Sequence, residues 1–262
     1  MSALAAGYKT AVRGGVALRY TDTGAGDPPL LFIHGWCCDQ THWRGQLPVF
    51  SRDHRVVALD LRGHGASDKP DQDYTIDGFV DDAAWLTAEL GLERPVIAGH
   101  SMGGVIALNF VRKHPEAARA AVMADAPAVP VPGNLRPMVD NLLAGLQTPA
   151  YSQIAEAFAR TMFNEASPPG LPDEVAPRMA RAPQRLMYTA LQSTLSPAAI
   201  EPGPLPVPAL FVRAATAFDS EDEIRGRYPG AQVVTLEAAH FLQMEKPAEF
   251  NERLMKFLRS LP

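Results

Sequence analysis

A serine set among glycines, Gly99-His100-Ser101-Met102-Gly103 with Gly104 behind it, is the group best placed for covalent chemistry. It follows the apolar run PVIA and precedes VIALNFVRKH, which reads as a helix. A G-x-S-x-G segment between a strand and a helix makes a sharp elbow. The nucleophile occupies a strained turn, and side chains in place of the glycines would collide with the flanking backbone. The hydroxyl is thereby exposed at a strand end, and the first N–H groups of the helix point toward developing negative charge. The bland alternative, a glycine-rich turn with an incidental serine, lacks this strand-turn-helix context.

With that elbow the sequence resembles the α/β-hydrolase superfamily, and the resemblance covers nearly the whole chain. The segment His34-Gly35-Trp36, directly after PLLFI, is similar to the superfamily's oxyanion loop. The resemblance implies that the backbone N–H groups of Trp36 and Met102 hold an oxyanion, while the His34 side chain stabilises the loop. The run DLRGHGASDKP, starting at Asp60, matches another superfamily loop. There Asp60, Arg62 and His64 read as a hydrogen-bonded turn rather than a reactive cluster.

Superfamily order puts the catalytic histidine last, after the final strand. His240 fits, in AQVVTLEAAHFLQMEKPAEF, which reads as strand, short loop and helix. His42, His54 and His114 read as solvated surface, and His100 as a packing residue within the elbow. The acid has two candidates. Asp125 directly follows AAVMA, a position that serves as the acid in some relatives. Asp219, in PALFVRAATAFDSED, lies two residues beyond Ala217, where the more usual acid would stand. Asp125 is favoured and Asp219 is the alternative; either would fix the tautomer of His240 and stabilise its imidazolium.

The resemblance implies a serine hydrolase that cleaves small carboxylic esters or related acyl compounds through an acyl-enzyme on Ser101. A serine at the elbow argues against the dehalogenase and epoxide-hydrolase branches, which carry a carboxylate there. A C–C bond hydrolase is an alternative within the same chemistry. The segment GWCCD, the short loop after Phe218 and an Asp125 acid also resemble cofactor-free quinaldine-type dioxygenases, in which His240 would deprotonate a hydroxylated heteroaromatic ring. A non-catalytic ligand receptor is the third class, disfavoured by the intact Ser101, His240 and acid.

The elements that must position these groups are legible as short apolar runs at 16–20, 30–33, 56–59, 96–98, 120–124, 209–212 and 233–236. Each suits a buried strand. Between them Ile76, Phe79, Val80, Ala83, Leu86 and Leu90 share a helical face that stops at Gly91, and Phe250, Leu254, Phe257 and Leu258 repeat the pattern. Such alternation predicts an α/β fold, a mostly parallel sheet flanked by helices with its chemistry at the strands' carboxyl ends. The pattern breaks between about 127 and 208, where helical segments at 154–163 and 179–195 appear without strands. The expected organisation is a core of 1–126 and 209–262 with a helical cap of 127–208, returned to the core by the stiff EPGPLPVP. Within the cap Met138, Met162, Phe163, Met179, Met187 and Tyr188 are candidates to line an apolar pocket.

Composition narrows the remaining classes. The chain has 262 residues, 47% apolar and 20% charged, with a formal charge of −5, the balance of an ordinary globular protein. Its basic residues form no stripe, so nucleic acid is not an expected partner. No run approaches the roughly 20 apolar residues of a membrane span, and the opening MSALAAGYKTAVRGG lacks the apolar core of a signal peptide. The cytoplasm is the simplest compartment. The two cysteines, Cys37 and Cys38, are adjacent and read as reduced thiols, and the seven histidines form no metal-binding pair. No metal and no cofactor are expected, and the partner is a small-molecule substrate; oligomeric state is not encoded visibly.

Overall fold

A computed structural model describes residues 7–262. Residues 1–6, which begin both the opening segment and the expected core span, lie outside the described residues. Along the chain come β1 (Lys9–Arg13), β2 (Val16–Thr23), β3 (Leu30–Ile33), the short α1 (Leu47–Phe50), β4 (Val56–Asp60), α2 (Ile76–Glu89), β5 (Val96–His100), α3 (Met102–Lys113) and β6 (Ala120–Ala124). Four helices then follow without a strand: α4 (Arg136–Leu146), α5 (Tyr151–Arg160), α6 (Leu171–Met179) and α7 (Gln184–Thr194). The chain ends with β7 (Ala209–Ala214), α8 (Glu221–Arg227), β8 (Gln232–Leu236), the one-turn α9 (Leu242–Glu245) and α10 (Pro247–Arg259).

The strands form one sheet in the order β1-β2-β4-β3-β5-β6-β7-β8. The first two pairings, β1 with β2 and β2 with β4, are antiparallel; all the others are parallel. From β3 the chain goes to β4 on one side and then to β5 on the other, so the strand order reverses there. At such a reversal the loops leaving the two strands diverge and open a crevice at their carboxyl ends. The loops after β3 and β5 are those carrying Trp36 and Ser101.

The sheet is covered on both faces because its side chains alternate. Leu30 and Phe32 of β3, with Val56 and Ala58 of β4, pack against Trp43, Phe50, Phe250 and Leu254. Their neighbours Leu31, Ile33, Val57 and Leu59 turn to the opposite layer, where Phe79, Val80, Ile106 and Phe110 lie. Helix α2 starts at Thr75, whose hydroxyl accepts from the Gly78 N–H at 3.1 Å, and is followed by Gly91 at φ 57°, the expected stop.

Two readings need correction. The segment 179–195 is not one helix: Met179 ends α6, and α7 starts after Pro183, whose extended backbone (ψ 141°) separates the two. Strand β1 was not foreseen because, of its five residues, only Ala11 is buried, so it carries no apolar run.

Candidate active site

Three loops converge at the carboxyl ends of β3, β5 and β6, and each contains a residue in an unusual backbone conformation. Among the described residues four non-glycines have positive φ, and three of these are Cys37 (55°), Ser101 (53°) and Asp125 (43°). Left-handed backbone is costly for a residue with a Cβ, so its concentration here means that the surrounding packing enforces it. The elbow glycines explain how. A Cβ on Gly99 would stand 1.9 Å from the Gly103 carbonyl oxygen, and one on Gly103 would stand 2.3 Å from that of Ile33. Helix α3 can therefore start directly against β3 and β5, with Ser101 at its head.

His240, in the loop after β8, has its Nδ1 at 2.7 Å from Asp125 Oδ2. A carboxylate only accepts, so Nδ1 carries a proton; in the neutral ring the lone pair then lies on Nε2, the form a general base needs. The other carboxylate oxygen, Oδ1, accepts from the Ala214 N–H at 2.7 Å, and the Asp125 N–H donates to the Val212 carbonyl at 2.7 Å. Asp125 is thus tied to β7 on both its side chain and its backbone.

The backbone of His240 is held as firmly as its ring. Its N–H donates to the Met162 carbonyl at 3.2 Å, and its carbonyl accepts from His100 Nε2 at 2.9 Å. Burial keeps His100 well below the ordinary histidine range, so its ring is neutral, with the proton on Nε2. On either side of His240 the N–H groups of Ala239 and Phe241 donate to Glu245 Oε2 and Oε1, at 3.0 and 3.1 Å. Glu245 Oε2 also accepts from Ser167 Oγ at 2.9 Å, which links the histidine loop to the segment between α5 and α6.

Ser101, His240, Asp125, Trp36 and Met102 line one cavity of about 400 Å³. No hydrogen bond joins Ser101 Oγ to His240 among the described residues; in unliganded enzymes such contacts are often long. The Trp36 and Met102 N–H groups make no backbone hydrogen bonds among the described residues, so both remain available to an acceptor in the cavity. Gly35 allows the two loops to approach: a Cβ there would lie 3.0 Å from His100 Nδ1 and 3.3 Å from Ser101 Cβ. The Trp36 indole is fixed from α7, donating to the Met187 carbonyl at 2.9 Å.

A family description of the alpha/beta hydrolase fold matches residues 28–204. The chain belongs to the α/β-hydrolase family. It is similar to a haloalkane dehalogenase of Sphingobium indicum, with 29% identity over 280 residues, 94% of this chain and 93% of the relative. It also resembles Epoxide hydrolase 1 of Caenorhabditis elegans, with 36% identity over 124 residues, 46% of this chain and 30% of that protein. Matches to two further epoxide hydrolases cover 25% and 34% of their lengths, so the chain spans a third or so of these relatives. Among solved structures, a thermophilic esterase from Thermogutta terrifontis superposes with a TM-score of 0.82 at 25% identity, covering 97% of this chain and 98% of that one.

Within this α/β-hydrolase, Asp219 does not meet His240. Its carboxylate lies 3.5 Å from Arg213 Nε, and Arg213 also donates to the Ala217 and Thr235 oxygens at 3.2 and 3.1 Å. Burial, together with the charge of Asp125, pushes its pKa up to about 6. His34 is a loop residue: Nδ1 donates to the Gly35 carbonyl at 2.8 Å, Nε2 accepts from the Leu61 N–H at 3.1 Å, and burial lowers its pKa to about 4. The Asp60 turn is likewise structural. Its carboxylate accepts from the Gln40 and Ala66 N–H groups at 2.7 and 2.9 Å, and Arg62 pairs with Asp82 at 2.5 Å.

Some readings of individual residues fail. His42, expected at the surface, is 1% exposed and packs beside Phe241. Of the cap candidates, Met138, Met162 and Phe163 line the cavity, and Met179 lines a narrow side pocket reaching Ser101 and His240. Met187 and Tyr188 do not line it; Met187 is fully buried and serves through its carbonyl. The positioning contacts of His100, Met162 and Glu245 were missed. Only Glu245 left a signal, as a lone carboxylate in the apolar stretch HFLQMEK, and burial was needed to read it. Among the described residues no group of three histidine, cysteine or acidic side chains could hold a metal ion, and no helix is long and apolar enough to cross a membrane.

Proposed function

We propose that this protein is a serine hydrolase that cleaves carboxylic esters or related small acyl compounds, with Ser101 as nucleophile, His240 as base, Asp125 as acid and residues 127–208 as a cap over the site. The observation carrying this reading is the His240–Asp125 pair at 2.7 Å in the same cavity as a serine at φ 53° on a strand-to-helix elbow. Ser101 Oγ attacks the carbonyl carbon as His240 Nε2 takes its proton, and the N–H groups of Trp36 and Met102 hold the resulting oxyanion. The C–O bond to the leaving group then breaks, and the His240 proton goes to the departing alkoxide. Water, deprotonated by His240, attacks the acyl-enzyme and releases the acid and free Ser101. No step calls for a metal or cofactor, and the proposed partner is the small-molecule substrate alone.

The nucleophile also favours one branch of the family. The dehalogenase and epoxide hydrolases similar to this chain share its family, and Ser101 here supports acyl transfer over a carboxylate-driven displacement. The test is p-nitrophenyl butanoate turnover, alongside oxygen consumption with a hydroxylated quinoline as substrate. The expected result is ester cleavage without oxygen uptake, covalent labelling of Ser101 by an organophosphonate, and loss of both cleavage and label in Ser101→Ala. Oxygen-dependent ring cleavage that survives Ser101→Ala would overturn the assignment.

A further inference from the structure

The wall of the cavity is chiefly carbon, supplied among others by Trp36, Leu142, Phe158, Met162 and Phe163. Apart from His240, its titratable side chains are both acidic, Asp125 and Asp219. Among the described residues no lysine or arginine lines it. The Arg213 guanidinium, beside Asp219, is committed to Asp219, Thr235 and the Ala217 carbonyl. The mouth continues the same chemistry. Tyr8, Val12, Met138 and Phe218 are the large apolar side chains left exposed among the described residues, and two of them, Met138 (52%) and Phe218 (46%), belong to this cavity. Apolar groups held in water at the rim of a deep apolar cavity mark the entry of an apolar ligand.

From this we infer that the substrate is an uncharged, largely apolar acyl compound, and that the site rejects substrates bearing a carboxylate. The inference rests on the Ser101 acyl-transfer reading for its chemistry, and on the cavity alone for its selectivity. A carboxylate entering here would lose its hydration, find no cation to pair with, and face two acidic side chains. A methylene group entering would gain about fourfold in affinity for its removal from water.

Two measurements separate selectivity from chemistry. The first compares p-nitrophenyl acetate, butanoate and hexanoate with the mono-p-nitrophenyl ester of adipate, which matches hexanoate in chain length but ends in a carboxylate. At pH 8, kcat/KM is expected to rise about fourfold per methylene from acetate to hexanoate. The adipate half-ester is expected to fall at least on the order of 100-fold below hexanoate. Asp219→Asn is expected to narrow that gap, because it removes one of the repelling charges. The second measurement needs no turnover: hexanamide and the monoamide of adipate, which keeps the same amide head and ends in a carboxylate, are titrated into Ser101→Ala, with the fluorescence of Trp36 in the cavity wall as the signal. Saturable quenching by hexanamide, with the adipate monoamide at least tenfold weaker, supports the inference even if no ester is cleaved, a result that would count against the acyl-transfer reading alone. Equal binding of the two, or a half-ester cleaved within tenfold of hexanoate, overturns the inference and leaves the serine chemistry standing.

Discussion

Replacing Asp125 with asparagine alters the charge and proton count of one side chain while keeping its shape, and the surrounding hydrogen bonds dictate how the site responds. In the native site Oδ1 accepts from the Ala214 N–H and Oδ2 from the His240 Nδ1–H, both at 2.7 Å. An asparagine must keep its carbonyl oxygen toward the Ala214 N–H, since the opposite orientation would set two donors face to face. Its amide nitrogen then faces His240 as a donor, so Nδ1 must accept and the ring proton moves to Nε2. With Nε2 protonated, no lone pair remains to receive the Ser101 proton. Loss of the correct tautomer in a serine triad lowers kcat by about 10⁴, which corresponds to about 5.5 kcal/mol in the barrier. Asp219→Asn removes no contact with His240 and is expected to lower ester kcat by less than about tenfold. Steady-state turnover of p-nitrophenyl butanoate by both variants, with circular dichroism to verify folding, is the assay. A 10⁴-fold loss in Asp219→Asn together with near-native activity in Asp125→Asn would refute the reasoning.

Two further outcomes rest on the same contacts. Glu245→Gln offers one acceptor oxygen where the N–H groups of Ala239 and Phe241 and the Ser167 hydroxyl now find two, so a buried donor loses its partner at a cost of about 1–3 kcal/mol. A lower Tm, with kcat reduced more than tenfold and KM nearly unchanged, is expected from thermal melts and steady-state kinetics; a proportional change in KM instead would assign Glu245 to the binding surface. Asp219, with its folded pKa raised to about 6 above an unfolded value near 3.9, binds protons more readily folded than unfolded between those values. Its contribution to stability is therefore present below about pH 4 and lost as pH rises through 6. The Tm of Asp219→Asn relative to the native protein is expected to rise between pH 4 and pH 7, and a constant difference would contradict the buried-carboxyl account.

The parts of the site that were legible in the sequence are those tied to a strand end by local chemistry. Ser101 is marked by glycines that the close approach of β3, β5 and α3 makes obligatory, and those glycines all stand within three residues of the serine. The parallel strands were readable because both of their faces are buried, which leaves uninterrupted apolar runs in β3 to β6. The edge strand β1 and the interior position of His42 were not, since one has little buried surface to advertise itself and the other is buried by residues distant in the chain. Met187 misled for a related reason. A methionine on a helix beside the site suits a pocket wall and a packing layer equally well, and only the path of α7 decides between them.

The choice of acid shows where local pattern ends and sheet geometry takes over. Asp125 and Asp219 both follow strands, β6 and β7, and β7 lies between β6 and the strand that leads to His240. A carboxylate on β6 must therefore reach across the end of β7, where Ala214, Ala215, Thr216 and Ala217 stand in sequence. The Ala214 N–H donates to Asp125 Oδ1 there and aims the carboxylate across the end of β7. The positive φ of Asp125 turns its backbone out of the strand at that point. Ala217, where the more usual acid would stand, lines the same cavity as Asp125 and His240. Neither Asp125 nor Ala217 carries this information alone, because their relation exists only once β6, β7 and β8 lie side by side. Asp219, two residues farther on, is left to the ion pair with Arg213 and to the cavity wall.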